Sequence, residues 1–274
     1  MADITAAMVK DLRETTGAGM MDCKKALVDT NGDFDAAVKL LKEKGLAAVA
    51  KRAERATSEG RIFIRQNGNK VAVVELVRET DFVAKNAEFI ACGEKILDEI
   101  FAKGYTEINK ELSDVLLDFA TRTRENMSLS KIQVIDVPEN SVAGIYIHSD
   151  FKTAAVTVIK GSTDEKVKEF ARDCCMHLAA FTPAYIKRDD VDAAYIAEQR
   201  EIFTKQVESL DKPENVKKGI VEGKVNKHLA EICFMDQPFV KDDKVSVTKK
   251  MEEIGKNVGA KLAIAKVVSY QLGA

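Results

Sequence analysis

Metal binding or nucleophilic catalysis in this chain would fall to three histidines, His148, His177 and His228, and five cysteines, Cys23, Cys92, Cys174, Cys175 and Cys233. The histidines are widely separated, none at a metal-ligand spacing from another and none beside a nucleophile motif. The cysteines are odd in number, include an adjacent pair and form no C-x-x-C, which predicts reduced, buried thiols rather than a disulfide framework or zinc site. No G-x-x-x-x-G-K-[ST] loop is present to cradle nucleotide phosphates, and the glycine-rich "TTGAGMMD" follows a helical pattern rather than a strand. Acidic residues are spread over solvated helix faces without an isolated carboxylate pair. The expectation is a protein with no catalytic residues, no metal and no cofactor, and so not an enzyme of bond chemistry.

Residues suited to contact are better represented. In "RETDFVAKN" an apolar run ends at Arg78-Glu79 and a helical pattern follows, so Thr80 or Asp81 is expected to cap a helix from about Val83 to Phe101. Phe82 has two placements open: folded back as an apolar staple near Phe89 or Ile90, or held outward as a rigid wedge beside the Asp81 carboxylate. Met20 and Met21 follow the "GAG" break; either both face the core, or one is exposed as an adaptable thioether contact. Arg13, Asp22 and Lys24 nearby read as a solvated face.

The elements that position these residues can be read from periodicity. The 274 residues exceed one ordinary core and allow two or three modules. Net charge of −2 disfavours a partner gripped through phosphates, so no nucleic acid is expected. No apolar run is long enough to span a membrane, and "MADITAAMVKDLRE" lacks a signal-peptide h-region, so no membrane partner is expected either. Residues 1–45 predict three short helices, the first with Ile4, Met8 and Leu12 on one face. Gly32 suits the second helix's end, Asp33 caps the third, Phe34, Ala37, Val38 and Leu41 line it, and Gly45 stops it. The small, basic stretch 46–58 reads as a linker. "GRIFIRQ" and "KVAVVELV" around "NGN" predict a hairpin, followed by the helix after "TDF", a helix at about 110–126 and the strand "KIQVIDV".

The pattern then repeats: hairpin ("GIYIHSDFKTAAVTVIKG"), helix ("STDEKVKEFARDCCMHLAAF"), excursion, helix ("VTKKMEEIGKNVG") and strand ("AKLAIAKVVSY"), a duplicated α+β unit. Only the first helix entrance carries a phenylalanine. The excursion at 189–232 places Ile196, Phe203 and Leu210 seven residues apart with Val207 beside them, turns at "DKPEN" with Pro213 near a helix start, and continues through Val216, Ile220, Val221, Val225 and Leu229. This is an antiparallel helical hairpin of about 20 residues per arm, either a protruding interaction arm or a folded-back core element.

Two segments, "ITAAMVKDLRETTGAGMMDCKKALVDTNGDFDAAVKLL" and "TDFVAKN", carry a resemblance that extends through "MHLAAFTPAYIKRDDV" and "IVEGKVNKHLAEICFMDQPFV". The chain resembles the bacterial elongation factor Ts family, guanine-nucleotide exchange factors of the translational GTPase elongation factor Tu. The resemblance implies an α+β fold with a ubiquitin-associated-like three-helix domain (1–55), two related core subdomains with antiparallel sheets (56–140, and 141–188 with 233–274) and an inserted coiled-coil hairpin (189–232). It implies that Thr80, Asp81, Phe82 and Val83 intrude into the GTPase and dislodge its Mg²⁺. It also implies that Arg13, Met20, Met21 and Lys24 contact the same GTPase domain, that His148 faces another, and that the hairpin serves partner binding or self-association. A cytoplasmic translation factor is the corresponding expectation. Arg78-Glu79 stands where the family has a different dipeptide before "TDFV".

Overall fold

The computed structural model describes residues 4–81, 86–123 and 125–274. The chain divides into two units, 1–135 with 272–274, and 136–271.

The first unit opens with helices α1 (Ala6–Thr16), α2 (Met20–Asp29) and α3 (Phe34–Arg52). Thr5 caps α1 by accepting the Met8 N–H, and Gly17 closes it at φ 66°, a left-handed conformation that suits glycine, donating back to Arg13 O at 2.8 Å. Gly32 N–H bonds Leu27 O at 2.8 Å and Asp33 accepts the Ala36 N–H at 3.0 Å, so the expected stop and start between α2 and α3 are both present. Val9, Leu12, Cys23, Ala26, Leu27, Ala37 and Leu41 form the module's core, with Ile4, Met8, Phe34 and Val38 partly buried against it.

The expected linker at 46–58 is corrected over 46–52, while 53–58 does connect α3 to the first strand. "LAAVAKR" is good helix-forming sequence, and α3 runs through Gly45 to Arg52. Gly45 is there for close approach: a Cβ on it would lie 2.9 Å from Thr121 Cβ. Arg52, nearly buried, reaches Ala120 O at 3.4 Å.

Strands β1 (Glu59–Asn67) and β2 (Lys70–Arg78) make the expected antiparallel hairpin, and β3 (Met127–Asp136) completes the sheet in the order β1-β2-β3. Helices α4 (Ala87–Lys103) and α5 (Lys110–Arg122) cover it. The core centres on Phe63, Phe89 and Phe119, with successive ring centroids 6.1 and 6.0 Å apart. The central strand β2 is buried from Val71 to Arg78, so its last residue is a charge inside the protein.

In the second unit β4 (Ser141–Ile147), β5 (Thr153–Lys160) and β8 (Ala263–Gln271) form an antiparallel sheet in that order, covered by α6 (Glu165–Phe181). A two-stranded ribbon, β6 (Pro238–Phe239) with β7 (Asp242–Ser246), has no clear alternation in the sequence and was not expected. It leads into α9 (Val247–Asn257).

Helices α7 (Ala193–Val207) and α8 (Glu214–Ile232) pack on each other through Val207, Val221, Val225 and Leu229. The seam differs from the seven-residue reading. Helix α7 stops at Val207, which leaves Leu210 in the turn, and Leu210 and Val216 are both exposed. Helix α8, with 19 residues, matches the expected arm of about 20, whereas α7 is shorter at 15. Helices and small antiparallel sheets in both units make the fold α+β.

Candidate functional site

Strand β2 ends at Arg78, and Arg78, Glu79 and Thr80 are each held by a residue more than 40 positions away in sequence. Arg78 is fully buried; its Nη2 donates to one oxygen of the Glu125 carboxylate and its guanidinium lies 4.8 Å from the centre of the Phe89 ring. Thr80 donates its hydroxyl to the other Glu125 oxygen at 2.6 Å. Glu79 accepts the backbone N–H of Asn126 and pairs with Arg55 at 3.4 Å. The Asn126 amide in turn donates to Ala53 O at 3.2 Å and Arg55 O at 2.7 Å, just beyond α3.

The electrostatics follow from this geometry. Burial alone would raise the Glu125 carboxyl, but hydrogen bonds from Arg78 and then Thr80 outweigh it and hold the group below its ordinary value. Arg78 Nε and Nη1 are buried without a hydrogen-bond partner among the described residues, so the aromatic face of Phe89 and the single carboxylate carry its charge. Removing one member of such a pair costs about 3–5 kcal/mol, because it strands the other charge in the interior.

The expected cap is a second correction. Helix α4 starts at Ala87, and its cap is Asn86, whose Oδ1 accepts the N–H groups of Glu88 at 2.7 Å and Phe89 at 3.4 Å. Thr80 is unavailable for capping because its hydroxyl is committed to Glu125, and Asp81 is exposed. Phe82 and Val83 lie outside the described residues. Phe89, one expected seat for a folded-back Phe82, is itself fully buried in the core.

The remaining expected residues sit on both units. Arg13 is exposed in the last turn of α1, and Met20, Met21 and Lys24 are exposed at the start of α2. Neither methionine faces the core: Met20 is 55% and Met21 76% exposed. Helix α2 has Gly19 at its N-cap and no side-chain cap, with Asp22 in its first turn. In the second unit His148 is exposed at the turn between β4 and β5, where its Nδ1 meets the Tyr146 hydroxyl at 3.2 Å.

All five cysteines are buried and free. Burial pushes the Cys92 thiol up to about 11 and the Cys175 thiol up to about 12, which disfavours the reactive thiolate. Among the described residues no group of His, Cys, Asp and Glu is arranged to hold a metal ion, and no helix is long and apolar enough to cross a membrane.

Glu125 and Asn126 were missed in the sequence, where they fall inside the helix expected at about 110–126; α5 ends at Arg122 instead. The available signal was Arg78: a cation closing the run "KVAVVELV" has to find a counter-ion.

The family model described as elongation factor TS matches residues 79–274. The elongation factor Ts of Treponema denticola is 56% identical over 276 residues, covering 99% of each chain. That of Treponema pallidum is 48% identical over 287 residues with the same coverage, and that of Borrelia duttonii is 39% identical, covering 98% of this chain and 99% of its own. The chain belongs to the elongation factor Ts family.

Proposed function

We propose that this chain binds elongation factor Tu in its GDP form and promotes GDP release by displacing the bound Mg²⁺ and disturbing the phosphate-binding site. As a member of its family it is a translation elongation factor acting as the nucleotide exchange factor of that GTPase; the steps below are the finer reading. A GTPase holds GDP through a phosphate loop, a helix N-terminus and a Mg²⁺ ion that tolerates little departure from octahedral geometry. A wedge that shifts a neighbouring element by about an ångström disturbs the ion's ligands without any bond chemistry. Phe82 and Val83 supply the apolar insertion, Asp81 an acceptor for the displaced state, and Thr80 the base of the segment. Arg13, Met20, Met21 and Lys24 bind the same GTPase domain, and His148 binds another.

The observation that carries this reading is the junction before Asp81: three consecutive residues are tied down by side-chain bonds to Glu125 and Asn126, while Asp81 itself is exposed. A wedge works only on a base that does not yield. Exposed Met20 and Met21 add an apolar docking face on the three-helix module. Because binding linkage is reciprocal, a factor that weakens GDP binds the nucleotide-free GTPase more tightly than the GDP form, and GTP rebinding expels it. The proposed setting is the cytoplasm, without nucleic acid or membrane, and the hairpin α7–α8 offers a surface for self-association.

Stopped-flow release of labelled GDP from elongation factor Tu tests the proposal. Phe82→Ala is expected to lower the accelerated rate at least about tenfold, or about 1.4 kcal/mol of barrier, with the melting temperature nearly unchanged. Loss of the fold in Phe82→Ala would instead assign Phe82 to the core as a staple. Equal affinity for the GTPase with and without GDP would reduce the chain to a passive binding partner.

A further inference from the structure

We infer that Glu125 is a positioning residue for nucleotide release: by bridging Arg78 and Thr80 it sets the direction in which the chain leaves β2 toward Asp81. The inference rests on the exchange reading above and extends it to a residue outside the contact segment.

Neutralising a buried arginine explains only half of what Glu125 does. One carboxylate oxygen suffices for Arg78 Nη2, yet the other takes the Thr80 hydroxyl at 2.6 Å. Arg78 fixes the strand's last residue and Thr80 the residue two further on, so the two bonds together fix an orientation as well as a position. Between them Glu79 is held by the backbone N–H of Asn126, the residue after Glu125. Two consecutive residues thus grip three consecutive residues, all on the upstream side of Asp81. The Asn126 amide then holds Ala53 O and Arg55 O, which ties the same clamp to the chain leaving α3. At the corresponding place in the second unit, before α6, the side-chain bonds are local, from the backbone N–H groups of Asp164 and Lys166.

The test separates positioning from simple stabilisation. Glu125→Ala strands the Arg78 charge and is expected to melt lower, whereas the double variant Arg78→Met/Glu125→Ala removes both charges and restores most of the melting temperature. With elongation factor Tu and labelled GDP, the double variant is expected to release GDP about tenfold more slowly at saturation than the unaltered chain. Its half-saturating concentration should stay within about twofold. Thr80→Val added to Glu125→Ala is expected to slow release no further, since Glu125→Ala has already removed the bond that the Thr80 hydroxyl makes. A release rate that returns together with stability in the double variant overturns the inference, as do multiplicative effects of Thr80→Val and Glu125→Ala. If the unaltered chain fails to accelerate release at all, it is the exchange reading that falls.

Discussion

The two strand-to-helix junctions solve the same connection by different means. Between β5 and α6 the chain needs only residues 161–164. Gly161 turns at φ 113°, where a Cβ would sit 2.3 Å from Lys261 O, Ser162 Oγ accepts the Asp164 N–H at 3.1 Å, and Asp164 caps α6 through Lys166 N at 2.8 Å. Between β2 and α4 the chain takes residues 79–86 and recruits partners up to 47 positions away. A turn that only reverses the chain can satisfy itself locally. Long-range charged bonds are costly to desolvate, and the proposed function gives this junction a reason to carry them: a segment that has to be held while it displaces a partner. The packing beneath the junctions is also inverted. In the first unit the glycine is on the helix, where Gly93 leaves room for Phe63 of β1; in the second it is on the strand, where Gly144 of β4 lets α6 approach.

The glycine inversion gives the largest expected effect. A Cβ on Gly144 would lie 2.1–2.4 Å from backbone atoms of Ala171 and Arg172, which cannot move without shifting α6. Overpacking costs about 1–3 kcal/mol, and Gly144→Ala is expected at or above the top of that range. The atoms nearest a Cβ on Gly93 belong to the Phe63 ring, at 2.3–2.5 Å, a side chain rather than backbone, and Gly93→Ala recovers about 1 kcal/mol of helix propensity, so it is expected to cost less. Urea unfolding of the two variants measures the difference; an equal cost would break the inverted pairing.

The features legible in the sequence were those with short-range causes. The Asn-Gly hairpin, the Asp33 cap and the amphipathic helices α4 and α6 each declare themselves within a dozen residues. Gly45 misled because a glycine marks either a helix end or a close approach, and only Thr121, on α5, decides between them. Leu210 misled because a seven-residue spacing predicts a seam only while the helix lasts, and α7 ends first. The clamp was invisible for the reason that makes it informative: Arg78 and Thr80 are bonded to a residue 47 and 45 positions away, with a helical pair between. Of the proposed site, residue types and family pattern were readable; the support beneath it was not.

The caps sharpen the junction comparison at a smaller scale. Asn86→Ala and Asp164→Ala each remove a helix N-cap, and each is expected to cost about 1 kcal/mol in urea unfolding. Similar stability losses should have dissimilar consequences, because only Asn86 borders the segment assigned to nucleotide release. Asn86→Ala is expected to slow GDP release severalfold while Asp164→Ala leaves it unchanged. Equal exchange rates in the two variants would mean that the helix side of the first junction bears no load.

The smallest effect concerns acid, and it too separates the units. Helix α4 buries an apolar face, whereas α6 buries Asp173 and His177. His177 is fully enclosed among Phe181, Phe234 and Phe239; its Nδ1 accepts the Val240 N–H at 3.2 Å, so its Nε2–H donates to Gln237 Oε1 at 2.8 Å. Burial, only partly offset by the Gln237 bond, moves its pKa below the ordinary 6.5. The unfolded chain therefore takes up this proton first as pH falls. The His177 contribution is complete above about pH 6.5 and declines through the window below it, with a slope of at most about 1.4 kcal/mol per pH unit. All three histidines lie in the second unit, as do Tyr146, Tyr185, Tyr195 and Tyr270, so urea unfolding followed by tyrosine fluorescence reports chiefly on that unit. Between pH 7.5 and 5.5 the measured stability is expected to fall, and His177→Gln to flatten the slope even where it lowers the plateau. An unchanged slope in His177→Gln would overturn the assignment of the acid sensitivity to His177.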